Sequence, residues 1–532
     1  MSKVVVLGDE AVALGAIHAG LAAAYSYPGT PASEIMEFLI RASSEKKFVA
    51  CWSVNEKVAY EQALGVSFTG RRAMVSMKHV GLNVAADPFI NSSLTGSNGG
   101  LVVVVADDPS MHSSQNEQDS RFYAQFAHIF CFEPSNHQEA YEMTRQAFDL
   151  SEAVGLPVMI RLVTRLAHSR SAIVPRKPVS PPALPPGERS HWTLLPINAR
   201  RRFEVVLNKQ AELRRLSEES PFNLLQLNNH NSSLGIIASG IAANYVLENW
   251  PDLEPKPSFL KISTYPLPEK LMRKLIDEVE TILVVEEGYP LIEKNLAGLM
   301  GIPGKKIKGK LTGDLPQSGE LSPDAVRQAL GLPAWTQVPR SALRLAQRPP
   351  QLCQGCPHAD TFLALKEALK DFPRALVFSD IGCYTLGYFP PYSAIDTCVC
   401  MGASIGMAKG AADVGYHPSI AVIGDSTFGH SGLTPLLEAA RNNSRMTVII
   451  LDNGTVAMTG GQLSYASGDY LIKMVEGLGV RRDHLRVIEP LPKNLTQNAA
   501  LIKEEINYPG LSVIIALREC LQEARKKKRG QE

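Results

Sequence analysis

Short runs of β-branched apolar residues, each closed by a glycine or an acidic turn, are the feature that most constrains the fold. Examples are LVVVVADDP at 101–109, SIAVIGD at 419–425 and MTVIILDNG at 446–454. These runs are apolar throughout rather than alternating, which is typical of parallel strands buried on both faces. Parallel strands need long crossover connections, usually helices. The sequence therefore predicts doubly wound α/β domains.

The chain of 532 residues is too long for a single hydrophobic core. The strand patterns fall into three predicted α/β domains, over residues 1–167, 231–335 and 346–532. A proline-rich linker and a polar helix, predicted over 208–220, fill residues 168–230 between the first two. Residues 10–28 are predicted to form one helix that leads into a Tyr-Pro-Gly turn.

Charge and hydropathy exclude several classes of function. The net charge of +1 gives no electrostatic basis for binding nucleic acid or an acidic membrane surface. No run reaches the roughly 18 uninterrupted apolar residues of a membrane span, and the start of the chain shows no signal-peptide pattern. We therefore expect a cytoplasmic protein, in which the eight cysteines are reduced.

Two polar residues, Asp425 and Asn453, come directly after predicted strands. Mg²⁺ prefers oxygen ligands and is usually held by one or two protein groups together with phosphate oxygens. Asp425 offers charge, Asn453 a neutral carbonyl and Thr455 a backbone carbonyl. Gly424 allows the backbone to approach a ligand closely. Ser426 begins a predicted helix, whose N-terminus favours anions. The arrangement resembles the thiamine diphosphate-binding motif, and the alternative is that Asp425 and Asn453 are ordinary turn residues.

Thiamine diphosphate enzymes also use a glutamate, which hydrogen-bonds the aminopyrimidine ring so that the ring can activate the thiazolium. Glu56 begins a predicted helix in the first domain and is followed by small residues. We expect this glutamate to come from a domain that faces the diphosphate-binding one. The alternative is that Glu56 only supplies negative charge to a helix N-terminus.

The cysteines raise a separate question of metal binding. Cys353 and Cys356 have the CxxC spacing that can direct two sulfurs to one metal, so zinc, a redox pair and buried thiols all remain open from the residues alone. Cys383 and Cys520 follow later strands and could complete a set of four sulfurs. The remaining cysteines are predicted to be small buried residues: Cys51, Cys131, Cys398 and Cys400.

Motifs in all three predicted domains resemble the α subunit of indolepyruvate ferredoxin oxidoreductase, one of the 2-oxoacid:acceptor oxidoreductases. They include YPGTPASEI at 27–35, SMKHVGLNVAADP at 76–88, CQGCPHADTF at 353–362 and LDNGTVAMTGGQ at 451–462. The resemblance spans residues 1 to about 520. It implies a pyrimidine-binding domain at 1–167, a transketolase C-terminal-like domain at 231–335 and a diphosphate-binding domain at 346–532.

The activity implied by this resemblance is oxidative decarboxylation of indolepyruvate or a related aryl 2-oxoacid to its acyl-CoA and CO₂, with coenzyme A as cosubstrate. The matching residues would take the family's roles. These are Asp425, Asn453 and Thr455 for Mg²⁺, Glu56 for cofactor activation, Thr30 for the substrate carboxylate, and Lys78 and His79 facing the thiazolium. A histidine on a loop is otherwise more often solvated than catalytic.

In related pyruvate-type enzymes, a CxxC pair, a Gly-Cys and a cysteine after the last strand bind a 4Fe–4S cluster. The order here matches, with Cys353, Cys356, Cys383 and Cys520. All-thiolate ligation suits zinc or iron–sulfur, and oxidation in single-electron steps requires a nearby acceptor that zinc cannot be. The resemblance therefore implies one 4Fe–4S cluster.

Electron exit is the point at which the sequence departs from the family pattern. Members often end in a ferredoxin-like domain with further cysteine arrays, and no such array is present. We expect electrons to pass to a separate electron-transfer protein, and a β subunit to complete an (αβ)₂ assembly. Two other hypotheses are non-oxidative decarboxylation or carboligation, with structural cysteines, and a catalytically silent scaffold.

Overall fold

The computed structural model describes residues 3–44, 48–180, 183–185, 187–228, 233–298, 300–335 and 350–529. The chain divides into two compact units, unit 1 over Met1–Arg340 and unit 2 over Ser341–Glu532. The predicted domain boundaries at 1, 230, 231, 346 and 532 lie outside the described residues. None of the helices formed by described residues combines the length and the apolar character needed to cross a membrane.

Unit 1 contains two mainly parallel sheets and one small ribbon. Its strands are β1 (Val4–Leu7), β2 (Ala23–Ser26), β3 (Val49–Trp52), β4 (Ala73–Lys78), β5 (Leu101–Asp107), β6 (Phe130–Phe132), β7 (Val158–Val163), β8 (Arg170–Ile173), β9 (Leu224–Gln226), β10 (Leu234–Ser239), β11 (Ser258–Ile262), β12 (Thr264–Tyr265), β13 (Thr281–Val285) and β14 (Lys306–Lys308). The larger sheet has the order β12-β6-β7-β5-β4-β2-β3, the smaller one β14-β13-β10-β11-β9, and the ribbon pairs β1 with β8. Only the edge strands β12 and β9 run antiparallel in the two sheets.

Helices cover both faces of these sheets. They are α1 (Gly8–His18), α2 (Ser33–Ser43), α3 (Glu56–Phe68), α4 (His79–Val84), α5 (Ala86–Thr95), α6 (Arg121–Phe126), α7 (His137–Val154), α8 (Thr164–His168), α9 (Arg189–Trp192), α10 (Pro196–Glu218), α11 (Ala242–Asn249), α12 (Glu269–Glu278), α13 (Leu291–Ala297) and α14 (Pro323–Ala329). The fully buried strands β4, β5 and β7 form the centre of the larger sheet, as expected for parallel strands with helices on both faces.

Several local predictions in unit 1 are wrong. The predicted helix over 10–28 divides into α1 and β2, because the pattern AGLAAAY continues the small apolar residues of the helix into a strand without a polar break. The polar helix predicted over 208–220 begins earlier, at Pro196, and ends at Glu218. Proline at the first helical position is favourable, since it has no N–H to leave unpaired. The proline-rich stretch also contains β8 and α9.

A buried ionic network joins the two sheets of unit 1. The Arg121 side chain donates to both carboxylate oxygens of Asp119, and its Nη1 lies 2.9 Å from Oε2 of Glu286, beyond the end of β13. Arg161 in β7 donates to Glu133 at 2.5 Å. All of these side chains are buried, and a buried charge is tolerated only when it is paired and hydrogen-bonded.

Unit 2 is built on one fully parallel sheet with the order β15-β16-β17-β21-β20. Its strands are β15 (Leu376–Phe378), β16 (Ser419–Gly424), β17 (Met446–Asp452), β18 (Thr455–Val456), β19 (Gln462–Leu463), β20 (Leu485–Ile488) and β21 (Leu511–Leu517). Its helices are α15 (Pro357–Ala368), α16 (Ala403–Asp413), α17 (Asp425–Thr427), α18 (Leu433–Arg441), α19 (Gly468–Gly477), α20 (Leu495–Asn507) and α21 (Leu521–Arg529). Strands β18 and β19 form a separate antiparallel pair. The predicted α/β fold class is confirmed in both units.

Candidate active site

In unit 2, the predicted metal-binding residues lie at one edge of the parallel sheet. Strands β16 and β17 are hydrogen-bonded neighbours, with Gly424 opposite Leu451. Asp425 follows β16 and begins α17, and Asn453 follows β17. Because both strands run in the same direction, their carboxyl ends meet at the same edge, where α/β sheets bind ligands. Ser426 lies in the first turn of the helix and is half-buried.

The Asp425 carboxylate has the environment expected of a metal ligand. The residue is 2% exposed, and its Oδ2 has no hydrogen-bond partner among the described residues. Burial, followed by the nearby carboxylate of Asp452, raises the pKa of Asp425 to about 8. An unpaired buried carboxylate is costly, and a divalent cation with oxygen ligands would remove that cost. The residues present therefore fit a bound Mg²⁺.

A third strand end contributes two residues that the sequence reasoning missed. The Tyr384 hydroxyl donates to Oδ1 of Asp380, which follows β15, and the Ser404 N–H donates to Oδ2 at 3.2 Å. Burial raises the pKa of Asp380 to about 6. The Tyr384 ring packs closely on Gly424. A Cβ added to residue 424 would lie 2.6 Å from Cε1 of Tyr384. The signal available in the sequence was another acidic residue after a strand, in FSDIGCY.

Asn453 is held by a set of hydrogen bonds within unit 2. Its Nδ2 donates to Nε2 of His358 at 3.0 Å, and its Oδ1 accepts the N–H of Thr455 at 3.1 Å. Burial lowers the pKa of His358 to about 4, so the imidazole is neutral near pH 7 and can accept this bond. The backbone carbonyl of Asn453 accepts the N–H of Cys520 at 3.0 Å. The amide is therefore fixed in orientation.

The four predicted cluster cysteines come together in unit 2. Burial raises the pKa of Cys383 to about 12, and the neighbouring thiols of Cys356, Cys520 and Cys353 raise it further. Burial also raises the pKa of Cys356, again with contributions from Cys353 and Cys520. A group of like-charged thiolates is unfavourable without a metal, because each raises the pKa of the others. The set is thus suited to ligation of a metal or cluster.

The other cysteines do not belong to this group. Cys131 is buried, as predicted, and Cys51 is half-buried; both are in unit 1. The prediction of buried thiols is wrong for Cys398 and Cys400, which are exposed. They lie in an irregular segment before α16.

In unit 1, Glu56 begins α3, as predicted. The preceding residue, Asn55, caps the helix by accepting the N–H of Val58 at 2.8 Å. Glu56 is 4% exposed. Its carboxylate lies directly against Gly81 of α4, where a Cβ would come within 2.5 Å of Oε1. Only glycine leaves room for the carboxylate at this position.

The other predicted residues of unit 1 are linked through the loop after β5. Lys78, at the end of β4, donates from Nζ to the carbonyl of Ser113 at 3.1 Å. The Ser113 hydroxyl donates to the carbonyl of Thr30 at 3.0 Å. Burial lowers the pKa of Lys78 to about 8, an effect opposed by the carboxylates of Asp108 and Glu56. Thr30, Lys78 and Glu56 therefore lie in one neighbourhood.

His79 belongs to the same loop system. Its Nε2 lies 3.1 Å from the carbonyl of Asn116, whereas the buried Nδ1 has no hydrogen-bond partner among the described residues. Asp108 shapes the loop by accepting from the Ser113 N–H at 2.8 Å and the Ser114 hydroxyl at 2.7 Å. The sequence reasoning missed Asp108, Ser113 and Ser114, although ADDPSMHSS shows an acidic turn and a polar loop after a buried strand.

Two family models match the chain in the regions just described. Residues 14–202 match "Pyruvate flavodoxin/ferredoxin oxidoreductase, thiamine diP-bdg", and residues 380–516 match "Thiamine pyrophosphate enzyme, C-terminal TPP binding domain". The first match includes Thr30, Glu56 and Lys78, and the second includes Asp425 and Asn453.

The chain is similar over nearly its whole length to curated proteins named indolepyruvate oxidoreductase subunit IorA. It is 37% identical to the protein from Archaeoglobus fulgidus, covering 97% of this chain and 86% of the relative. It is 37% identical to that of Methanothermobacter thermautotrophicus, covering 98% and 87%. For Thermococcus kodakarensis the identity is 36%, covering 97% and 86%.

A solved structure of 2-oxoglutarate:ferredoxin oxidoreductase from Magnetococcus marinus, with 2-oxoglutarate, coenzyme A and succinyl-CoA bound, has a similar fold. The TM-score is 0.50 at 16% sequence identity, covering 62% of this chain and 65% of that one. At this identity the likeness concerns the fold alone.

Proposed function

Since the chain belongs to the family of indolepyruvate oxidoreductase subunits IorA, we propose that it is the catalytic subunit that converts indolepyruvate or a related aryl 2-oxoacid to its acyl-CoA and CO₂. The family is one of thiamine diphosphate-dependent 2-oxoacid:acceptor oxidoreductases. When bound, thiamine diphosphate supplies the carbanion stabilisation by which a 2-oxoacid loses CO₂. Coenzyme A is the acyl acceptor in this proposal.

In unit 2, Asp425, Asn453 and the carbonyl of Thr455 hold Mg²⁺, and Gly424 and Ser426 contact the diphosphate. The buried, unpaired Oδ2 of Asp425 supports this assignment, as does the fixed orientation of the Asn453 amide. Two neutral oxygens and one carboxylate leave the remaining coordination positions to phosphate oxygens and water, as Mg²⁺ requires.

In unit 1, Glu56 would hydrogen-bond a ring nitrogen of the aminopyrimidine and hold the proton shared with that nitrogen. Thr30 binds the substrate carboxylate, and Lys78 and His79 face the reacting centre. The buried carboxylate of Glu56 and the hydrogen-bonded connection from Lys78 through Ser113 to Thr30 support these roles. A buried ammonium group near the substrate would favour a bound anion.

The observation that carries the oxidative reaction is that Asn453 is hydrogen-bonded to the segments that contain two of the four cysteines. His358 follows Cys356 by two residues, and the Cys520 N–H donates to the Asn453 carbonyl. One 4Fe–4S cluster would be held by four residues and would supply single-electron chemistry. These are Cys353, Cys356, Cys383 and Cys520. A non-oxidative decarboxylase would have no use for an electron acceptor at this position.

The proposed reaction favours a cluster over a single zinc ion. Oxidation in single-electron steps needs an acceptor that changes its oxidation state, and zinc has no redox chemistry.

The subunit works with others in this proposal. The curated relatives are named as subunits, and we assign to this chain a β subunit in an (αβ)₂ assembly and a separate electron-transfer protein. The pyrimidine-binding, transketolase C-terminal-like and diphosphate-binding domains correspond to 1–167, 231–335 and 346–532. A cytoplasmic location agrees with four cysteines that must stay reduced.

The test is an anaerobic assay of the full chain with its β subunit, thiamine diphosphate, Mg²⁺ and an artificial one-electron acceptor. Indolepyruvate should give acyl-CoA and reduced acceptor in a ratio of one to two, because the oxidation releases two electrons. Pyruvate and 2-oxoglutarate serve as comparison substrates. Release of CO₂ with formation of an aldehyde, and without reduction of the acceptor, would overturn the oxidative reaction.

Two variants separate the cofactor site from the substrate assignment. Asp425→Asn should abolish activity with every 2-oxoacid, because Mg²⁺-dependent cofactor binding is lost. Asp413→Asn, which changes an exposed carboxylate on α16 of the same unit, should leave the activity unchanged. If both variants retained activity, the metal site would be misassigned while the substrate result could still stand.

A further inference from the structure

Three potential metal ligands that the proposed function does not use meet in unit 1. They are Asp9 at the start of α1, Glu34 at the start of α2 and His168 at the end of α8. One ligand atom from each lies within 4.8 Å of the other two. Among the described residues, this is the only such group of three or more histidine, cysteine, aspartate or glutamate side chains.

Asp9 is the residue that an ordinary ion pair does not explain. The side chain is 0% exposed, and neither carboxylate oxygen has a hydrogen-bond partner among the described residues. A carboxylate at a helix start usually accepts backbone N–H groups. In α1 that task falls to Glu10, which accepts the N–H of Leu7 at 2.9 Å. Asp9 is therefore directed inward, toward the other two ligands.

Glu34 and His168 complete the group on its outer side. Oε2 of Glu34 is buried and lies 3.5 Å from Nε2 of His168. Their side chains are 33% and 34% exposed, respectively. The group is thus closed by Asp9 on one side and reached by solvent on the other, which leaves coordination positions for water.

The backbone holds the three ligands together independently of their side chains. The start of α1 packs directly on α8, because a Cβ at Gly8 would lie 2.1 Å from the carbonyl oxygen of Leu166. The start of α2 is fixed by the N–H of Gly29, which donates to the Ser33 hydroxyl at 2.9 Å. Asp9 and His168 are therefore brought together by a backbone contact that does not depend on their own charges.

We propose that Asp9, Glu34 and His168 bind a divalent first-row transition-metal ion. Two carboxylates balance the charge of the ion, and the imidazole nitrogen favours a transition metal over Mg²⁺ or Ca²⁺, which prefer oxygen. The ion would join α1, α2 and α8 at one point. Since Glu34 follows Thr30 by only four residues, an ion bound to Glu34 would also fix the loop that carries Thr30.

Mn²⁺ is the probe best suited to test this site, because it is paramagnetic and binds hard oxygen and imidazole ligands rather than thiolates. The full chain is freed of metal with a chelator and titrated with Mn²⁺ in the absence of thiamine diphosphate. Pulsed electron paramagnetic resonance then detects nitrogen coordinated to the ion. The Mg²⁺ ligands proposed in unit 2 are all oxygens, so a coordinated nitrogen identifies the His168 site.

We expect one nitrogen-coordinated Mn²⁺ per wild-type chain and loss of that signal in Asp9→Asn and in His168→Gln. The matched control is His112→Gln, since His112 is an exposed histidine of the same unit. Asp9→Asn preserves side-chain shape, and its melting temperature without metal should equal or exceed that of the wild type. Added Mn²⁺ should raise the melting temperature of the wild type only.

Either of two results would overturn the proposal. One is a wild-type chain in which no nitrogen is coordinated to Mn²⁺. That result would mean that Asp9 is a buried, protonated carboxylic acid beside Glu34. The other is a nitrogen signal in His168→Gln and in Asp9→Asn that is as large as the signal of the wild type. If His168→Gln does not fold, Glu34→Gln replaces it and should lose the signal.

Discussion

The Asn453 amide donates a hydrogen bond of 3.0 Å to the buried imidazole of His358. This bond connects the turn after β17 to the start of α15, immediately after the CxxC pair. Since Nδ2 donates to His358, the amide is oriented with Oδ1 toward the Thr455 N–H, and the second lone pair of Oδ1 is the one that could bind the proposed metal. The neutral state of the imidazole is essential, because a protonated ring could not accept the bond.

Loss of this acceptor should weaken the binding of thiamine diphosphate with Mg²⁺. We expect His358→Leu to lower the affinity by about fivefold, corresponding to the roughly 1 kcal/mol of one hydrogen bond. His358→Gln, which retains an acceptor, should keep most of the affinity. Isothermal titration calorimetry at saturating Mg²⁺ measures both. Equal affinities of the two variants would show that the amide needs no such support.

Glu56→Gln should leave cofactor binding largely intact and lower kcat by at least ~100-fold, since proton transfer by a positioned side chain contributes that much or more. The control is Glu61→Gln, an exposed glutamate on the same helix. Steady-state kinetics together with cofactor titration separates turnover from binding. A Glu56→Gln variant with near-normal kcat would remove Glu56 from the mechanism.

The contact between Gly81 and Glu56 predicts a second route to the same defect. In Gly81→Ala the new Cβ would lie 2.5 Å from Oε1 of Glu56, so the carboxylate must move. A displacement of about 1 Å can cost ~100-fold in rate. Gly65→Ala is the matched control, because nothing lies within 4 Å of that position in α3. It should keep full activity and gain about 1 kcal/mol of helix stability, as measured by thermal unfolding.

The lowered pKa of Lys78 predicts how activity depends on pH. Burial favours the neutral amine, so the ammonium form is present below a pKa of about 8 and is lost as the pH rises through it. The kcat/KM for a 2-oxoacid should therefore fall above pH 8. In Lys78→Arg the charge persists to much higher pH, so any remaining activity should not fall in this range. A wild-type profile that stays flat to pH 9 would exclude a role for the Lys78 charge.

The four-cysteine group predicts the metal content of the purified protein. Prepared without oxygen, the wild type should contain about four iron atoms per chain, the content of one 4Fe–4S cluster. Cys383→Ala should lose the iron and the broad absorbance near 400 nm while still binding thiamine diphosphate. Cys398→Ala changes an exposed cysteine outside the group and should retain both. Iron that is unchanged in Cys383→Ala would place any cluster elsewhere.

The sequence predicts the parts of the site that sit at strand ends. Asp425 and Asn453 follow apolar runs whose pairing as parallel neighbours is set by the α/β fold, and Glu56 follows a clear helix signal. His358 could not be predicted, because its role depends on how α15 packs against β17, far away in the sequence. Tyr384 and Ser113 were missed for a different reason: their hydrogen-bond partners depend on loop conformation, which periodicity does not encode.

Local misreadings arose where neighbouring elements share a composition. The small apolar residues of α1 and β2 follow one another without a polar break, so a helix and a strand read as one helix. Solvent exposure of Cys398 and Cys400 could not be predicted either, since cysteine is usually buried, whereas these two lie exposed in an irregular segment.

The paired charges of Arg121 and Arg161 have a mechanical consequence for unit 1. Apolar surfaces attract one another without preferred direction, so two sheets in purely apolar contact can slide by a fraction of a residue at little cost. Guanidinium groups bound to Asp119 and Glu133, with Glu286 against the first, allow no such slippage, because each bond has a fixed geometry. The directional bonds around Arg121 therefore oppose sliding of one sheet over the other, which apolar contacts alone would not do.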